Sequence, residues 1–98
     1  MLYKIKDIKH IESEETRTDD TYPLRIGCLV KFQFPVKTNE QMCLQYIKNN
    51  KNEPKSGFLV SSKVINFEKI VGPSKGDLEI IVYTQNSIYH FVKVAADE

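Results

Sequence analysis

The chain has little of what marks a membrane, secreted or disulfide-rich protein. No run within its 98 residues approaches the roughly 18 to 20 apolar residues that a membrane span requires. The N-terminal segment interleaves lysines with apolar residues and lacks the continuous apolar stretch of a signal peptide. Two cysteines do not make a disulfide framework, and we expect Cys28 and Cys43 to be reduced and structural. The sequence therefore predicts a cytoplasmic protein that does not enter a membrane.

Residue patterns for catalysis and metal binding are also scarce. His10 and His90 are the only two side chains that titrate near neutral pH without help, and we expect His90 to be structural. The sequence contains no Cys-x-x-Cys or His-x-x-x-His pair to begin a zinc site, and its acidic residues lack the spacing of a calcium loop. The segment 72–76 lacks the Gly-Lys-Ser/Thr ending of a phosphate loop and is predicted to be a turn. The chain is predicted to be neither an enzyme nor a holder of a cofactor or metal.

The residues 78–94 carry the clearest structural signal. Their β-branched and aromatic residues favour two strands, joined by a tight turn at Gln85–Asn86 or Asn86–Ser87. Asn tolerates the left-handed backbone that short hairpin turns require. The sequence therefore predicts a C-terminal β-hairpin.

Alternation of apolar and polar residues indicates further strands along the chain. These are residues 2–11 with a kink near Asp7, 24–34 with a bend at Gly27, 41–47, 58–60, and 64–71 after a break at 61–63. Turn signals at this spacing predict one mostly β domain over 1–98, a small antiparallel SH3-like or OB-like barrel. Residues 12–23 are predicted to be a solvated acidic loop and 95–98 a flexible tail. The predicted core is Ile26, Cys28, Val30, Phe32, Leu44, Leu59, Ile80, Val82 and Phe91.

The distribution of charge leaves two binding functions open. Residues 21–63 carry seven Lys or Arg against two Glu, whereas both ends of the chain are acidic. Small barrels bind single-stranded nucleic acid in basic grooves that contain aromatic rings. The residues for this alternative are Tyr46, Lys48, Lys51 and Lys55. Protein binding at a free strand edge and the acidic loop is the other reading. Its residues are Glu14, Glu15, Asp19, Asp20 and Tyr22.

The segment Thr84-Gln-Asn-Ser-Ile-Tyr-His-Phe91 follows Leu-Glu-Ile-Ile-Val, and Leu-Arg-Ile-Gly-Cys-Leu-Val-Lys-Phe lies upstream. Together they resemble small β-rich proteins of Gram-positive bacteria and their phages, which end in a Thr-x-Asn-Ser-x-Tyr-x-Phe hairpin. The resemblance implies a small β domain carried by a mobile element, and phage proteins of this size often bind host proteins. We therefore predict a non-catalytic protein-interaction module, with single-stranded nucleic-acid binding as the alternative. Partner, oligomeric state and strand order stay open.

Overall fold

The computed structural model describes residues 2–73 and 78–94. Six strands and one short helix follow one another in this part of the chain: β1 (Tyr3–His10), α1 (Tyr22–Arg25), β2 (Leu29–Phe32), β3 (Gln41–Lys48), β4 (Phe58–Val71), β5 (Leu78–Thr84) and β6 (Ser87–Lys93). The predicted flexible tail and most of the predicted turn at 72–77 lie outside the described residues. Within the described ranges, no helix is long and apolar enough to cross a membrane.

The six strands form a closed antiparallel barrel. Each strand pairs with its neighbours in the chain, and β6 pairs back with β1. Successive side chains of a strand point to opposite faces of the sheet, so the apolar residue of each alternating pair enters the barrel. The predicted small antiparallel barrel with a C-terminal hairpin is confirmed.

The interior of the barrel contains the residues that alternation assigns to it. Seven of the nine predicted core residues are buried, and Ile26 and Phe32 are half-buried against them. Phe91 is fully buried, and its ring centroid lies 5.0 Å from that of Phe32 in an edge-to-face arrangement. Tyr3 contacts the other side of Phe32 at 5.1 Å. Such aromatic pairs stabilise a core beyond the area that they bury.

The predicted strand over 24–34 is wrong in its first half. Tyr22–Arg25 is a short helix, and Pro23 lies in its first turn, where proline has no N–H to lose. Gly27 has a φ of +93°, a left-handed conformation that favours glycine, and turns the chain into β2. Its N–H donates to the Ile5 carbonyl at 2.7 Å, while the Ile5 N–H donates to the Cys28 carbonyl at 3.0 Å. The segment before Leu29 is therefore tied to β1 without being a strand.

The predicted break at 61–63 is also wrong, because β4 runs unbroken for 14 residues. Ser61 does not interrupt it, since its hydroxyl accepts from the Met42 N–H at 3.0 Å and donates to the Ser62 carbonyl at 2.7 Å. The strand changes its partner instead of ending. Residues 58–63 pair with β3, and from Val64 onwards the strand pairs with β5.

The predicted kink in β1 is confirmed, and the predicted hairpin turn is confirmed in position, whereas its expected left-handed conformation is wrong. The pairing of β1 with β6 shifts register between Ile5 and Asp7, where a kink was expected. β5 and β6 are joined by the two-residue turn at 85–86, but neither turn residue has a positive φ. The Thr84 hydroxyl stabilises this turn instead, because it both accepts from the Ser87 N–H and donates to the Ser87 carbonyl, each at 3.0 Å.

Candidate functional site

The acidic segment at 12–20 is mostly exposed, yet it is folded back onto β1. The Arg17 N–H donates to the Ile8 carbonyl at 2.8 Å, and the His10 N–H donates to the Glu15 carbonyl at 2.9 Å. A segment held by backbone hydrogen bonds on both sides of a turn has a fixed path. The acidic segment therefore lies beside β1 and has most of its side chains in solvent, as expected for a solvated loop.

Two of the residues predicted to bind a protein are already engaged within the chain. The Tyr22 ring contacts two guanidinium groups, with Arg17 Cζ 3.9 Å and Arg25 Cζ 4.8 Å from its centroid. Arg17 also forms a bidentate pair with Asp19 at 2.7 and 3.1 Å, and its hydrogen bonds lower the pKa of that carboxyl. The other three carboxylates of the predicted set face solvent: Glu14, Glu15 and Asp20.

The residues predicted to bind nucleic acid do not form one surface. Tyr46 is buried with 7% of its surface exposed, and the Lys55 ammonium lies over its ring, 4.9 Å from the centroid. Burial also raises the pKa of the Tyr46 phenol. Too little of this ring is open for a base to stack on it. Lys48 lines a different concavity on the barrel, and Lys51 lines neither.

His90 and Cys28 are each held by a contact within the chain. His90 Nε2 hydrogen-bonds to the Glu79 carboxylate across the β5–β6 pair. The Cys28 thiol is buried and donates to the Leu24 carbonyl at 3.3 Å, and burial raises its pKa, which keeps it in the unreactive thiol form. Over residues 2–73 and 78–94, no group of three His, Cys, Asp or Glu side chains converges as metal ligands would.

The second half of β4 has a free edge. Val64 is the last residue bonded on the β3 side: its carbonyl accepts from the Asn39 N–H at 2.7 Å, and its N–H donates to the Glu40 carbonyl at 2.9 Å. Beyond it, Ile65–Val71 pairs only with β5 in the described part of the chain. An unpaired strand edge presents a row of N–H and C=O groups to solvent. Seven residues at about 3.3 Å each make this row about 23 Å long.

An apolar groove runs beside this free edge. Its volume is about 380 Å³, and it separates β4 from the segment that follows β2. The lining residues are mainly aromatic and aliphatic: Tyr3, Phe32, Gln33, Phe34, Pro35, Val36, Phe67, Lys69 and Ile80. Phe34 is 67% exposed and Val71 is 77% exposed, and both are large apolar side chains. A free edge and an apolar groove thus lie side by side, and we call them together the β4 site.

A second apolar patch lies on another part of the surface. Leu24, Phe58 and Val60 are all more than half exposed and line one shallow depression with Arg25 and Lys55. Phe58 and Val60 belong to the first half of β4, which pairs with β3 on one side and with no described strand on the other. The two surfaces differ in their lining, because this depression contains Arg25 and Lys55, whereas Lys69 is the one described charged residue in the groove.

Comparison of the chain with protein-family models, with curated proteins and with solved structures found no match.

Sequence reasoning anticipated a free edge without locating it. The apolar residues Ile65, Ile70 and Val71 were assigned to a strand, and all three are exposed. Period-two alternation fails over this stretch, because apolar and charged residues occur on both faces. That irregularity shows that this stretch departs from a regular half-buried strand.

Proposed function

We propose that the chain is a non-catalytic protein-binding domain. In this proposal, an extended segment of a partner protein adds as a strand to the free edge of Ile65–Val71. The observation that carries the proposal is the edge itself, since Ile65–Val71 pairs with β5 on one side and with no described residue on the other. Strand addition obtains affinity from main-chain hydrogen bonds and specificity from pockets for alternate side chains.

The groove supplies the specificity in this mode of binding. An added strand sends every second side chain to one face of the sheet. Those on the groove side would contact Phe34 and Phe67, which favours apolar residues at alternate positions of the partner. Among residues 2–73 and 78–94, Lys69 is the one charged residue that lines the groove. We therefore expect an acidic residue in the bound segment, opposite Lys69.

A second copy of the chain fits this edge poorly. Two identical antiparallel strands related by a twofold axis must place one residue opposite its own copy. In the register centred on the seven-residue edge that residue is Glu68, so like charges face each other and weaken the pairing. Charged residues at an exposed edge are a common protection against self-association. The β4 site therefore suits a different protein.

The compartment and origin expected from the sequence belong to the same proposal. Both cysteines are free thiols, the state that a reducing cytoplasm maintains. A small domain carried by a mobile element would meet host proteins there. The partner segment is thus expected in an extended region of a host protein.

A displayed library of random peptides tests this function, since peptides of about twelve residues span a seven-residue edge. We expect selected peptides to alternate apolar residues and to include an acidic one. Phe34→Ala should weaken their binding by about tenfold, because Phe34 lines the groove, as expected for an aromatic anchor. The matched control is Phe58→Ala, a phenylalanine of similar exposure outside the groove, which should leave binding unchanged.

Backbone methylation separates strand addition from other apolar contacts. Methyl groups on one alternating set of peptide nitrogens should abolish binding, whereas methyl groups on the other set should not. Three results would contradict the proposal. Binding could be unchanged by methylation of either set of nitrogens, it could be lost in Phe58→Ala but not in Phe34→Ala, or the library could yield no enriched peptide. A concentration-dependent dimer of the free chain that peptides dissociate would assign the edge to a second copy instead.

A further inference from the structure

Another concavity of the described surface lies away from the β4 site. Its volume is about 590 Å³, and it shares no lining residue with the groove. The register of the barrel builds it, because Leu29 lies opposite both Lys4 and Lys48, and Lys4 lies opposite Val92. Directly opposite residues of paired strands share a face. Four strands therefore contribute to one row of side chains.

Lysine side chains cluster at this concavity in the described part of the chain. Four lysines line it: Lys4, Lys6, Lys48 and Lys93, which we call the lysine cradle. Among the described residues, no carboxylate lines the concavity and no ion pair includes any of the four. The whole chain has a net charge of only +1, so this clustering is a local feature. A cleft with charges of one sign focuses the field and attracts ligands of the opposite sign.

The floor and rim add two further properties. Ile26, Leu29 and Val92 give the concavity an apolar floor. The side-chain amides of Asn50 and Asn52 line the rim and make no hydrogen bond to any residue that the structure describes. Apolar walls with a few convergent polar groups are typical of small-molecule sites of this volume.

The rim is held in place before any ligand binds. Asn49 Oδ1 accepts from the N–H groups of Lys51 and Glu53 at 2.8 and 3.0 Å and fixes the turn. Gly27 allows this turn to approach β2, because a Cβ built on Gly27 would lie 3.0 Å from Asn50 Cβ. A preformed site needs little ordering on binding, and this increases affinity.

We propose that the lysine cradle binds the phosphate group of a small phosphate ester, such as a nucleotide or a sugar phosphate. Lysine ammonium groups bind phosphate as point charges, and a phosphate monoester carries up to two negative charges near neutral pH. The free amides of Asn50 and Asn52 would hydrogen-bond the polar part of the ligand, and the apolar floor would contact its organic part. No aromatic ring lines the concavity in the described residues, so base stacking does not contribute.

Backbone NMR titrations of the full chain with inorganic phosphate, AMP, glucose 6-phosphate and a thymidine oligonucleotide test this proposal. We expect saturable shifts at Gly27 and Asn50 with the two esters, and weaker binding of inorganic phosphate. The double variant Lys4→Gln/Lys48→Gln should weaken ester binding by about tenfold or more, since both charges face the ligand. The matched control Lys31→Gln/Lys37→Gln removes two exposed lysines outside the concavity. It should change the affinity for the esters by less than twofold.

The same titrations distinguish the sources of phosphate. Ester affinity should fall between about 50 mM and about 200 mM salt, as expected when lysines contact phosphate. An oligonucleotide whose affinity rises with length and exceeds that of AMP would assign the cradle to nucleic acid and overturn the small-ligand proposal. An equal loss of ester affinity in the two double variants would also overturn the proposal, as would the absence of saturable chemical-shift changes with either ester. Failure at this concavity would leave the β4 site untouched, because the two share no residue.

Discussion

Replacing Thr84 by valine tests how the C-terminal hairpin is stabilised. Thr84 is fully buried, and its hydroxyl makes two hydrogen bonds to the backbone of Ser87, each of 3.0 Å. Valine has nearly the same shape but no hydroxyl, so Thr84→Val keeps the packing and removes both bonds. The Ser87 N–H and carbonyl then lose this partner in a buried position, which is the costly way to break a hydrogen bond.

The expected loss of stability in Thr84→Val follows from these two hydrogen bonds. Each hydrogen bond contributes about 0.5 to 1.5 kcal/mol, so the loss of both lowers the free energy of unfolding by about 2 kcal/mol. For a chain of this size, this corresponds to a decrease in Tm of about 10 °C. Thr84→Ser is the matched control, because it keeps the hydroxyl and removes one methyl group at about 0.8 kcal/mol. Thr84→Val should therefore be less stable than Thr84→Ser.

Urea unfolding followed by far-UV circular dichroism measures both variants, since the chain has no tryptophan to report by fluorescence. The midpoint should shift without a change in the slope m, which would indicate an unchanged unfolded state. A valine variant as stable as the native chain, or more stable than the serine variant, would refute this account of the turn.

Three further predictions concern other local features. Gly27→Ala should destabilise the chain more than Gly57→Ala in urea unfolding, because both glycines have positive φ but only Gly27 faces a contact, Asn50 Cβ at 3.0 Å; equal losses would contradict this. Arg17 lowers the pKa of Asp19, so this pair stabilises the chain above the ordinary carboxyl value of 3.8. The difference in Tm between the native chain and Asp19→Asn should thus be present at neutral pH and disappear as the pH falls below 3.8. A Tm difference that stays constant with pH would contradict this prediction. Burial raises the pKa of the Tyr89 phenol to about 12, so the stability of the native chain should fall as the pH rises from about 10 towards 12. The Tyr89→Phe variant should lose less stability over that pH range.

Local patterns predicted those parts of the fold that local chemistry determines. Alternation identified the C-terminal hairpin and the strand around Leu44, and the disturbed pattern near Asp7 identified the register shift in β1. Alternation failed before Leu29, because the side chains of Ile26 and Cys28 reach the core from a turn as well as from a strand. Pro23 and Gly27 were the signals for the helix and turn found there.

The candidate sites depend on contacts between distant parts of the chain. Which strand each half of β4 pairs with follows from where β3 begins, and no local pattern contains that register. The lysine cradle joins Lys4, Lys48 and Lys93, which come together only when the barrel closes. The sequence did indicate a basic surface. It placed that surface around Tyr46, which the structure shows to be buried beneath Lys55.

Hydrogen exchange at single amides of Ile65–Val71 measures directly whether this edge is free. In the free chain, we expect alternation: amides that donate to β5 are protected, whereas the intervening ones exchange like unstructured backbone. A selected peptide should then protect the intervening amides and leave the rest of the barrel unchanged. Uniform protection of this segment in the free chain, or peptide-induced protection elsewhere, would contradict a free edge that accepts a partner strand.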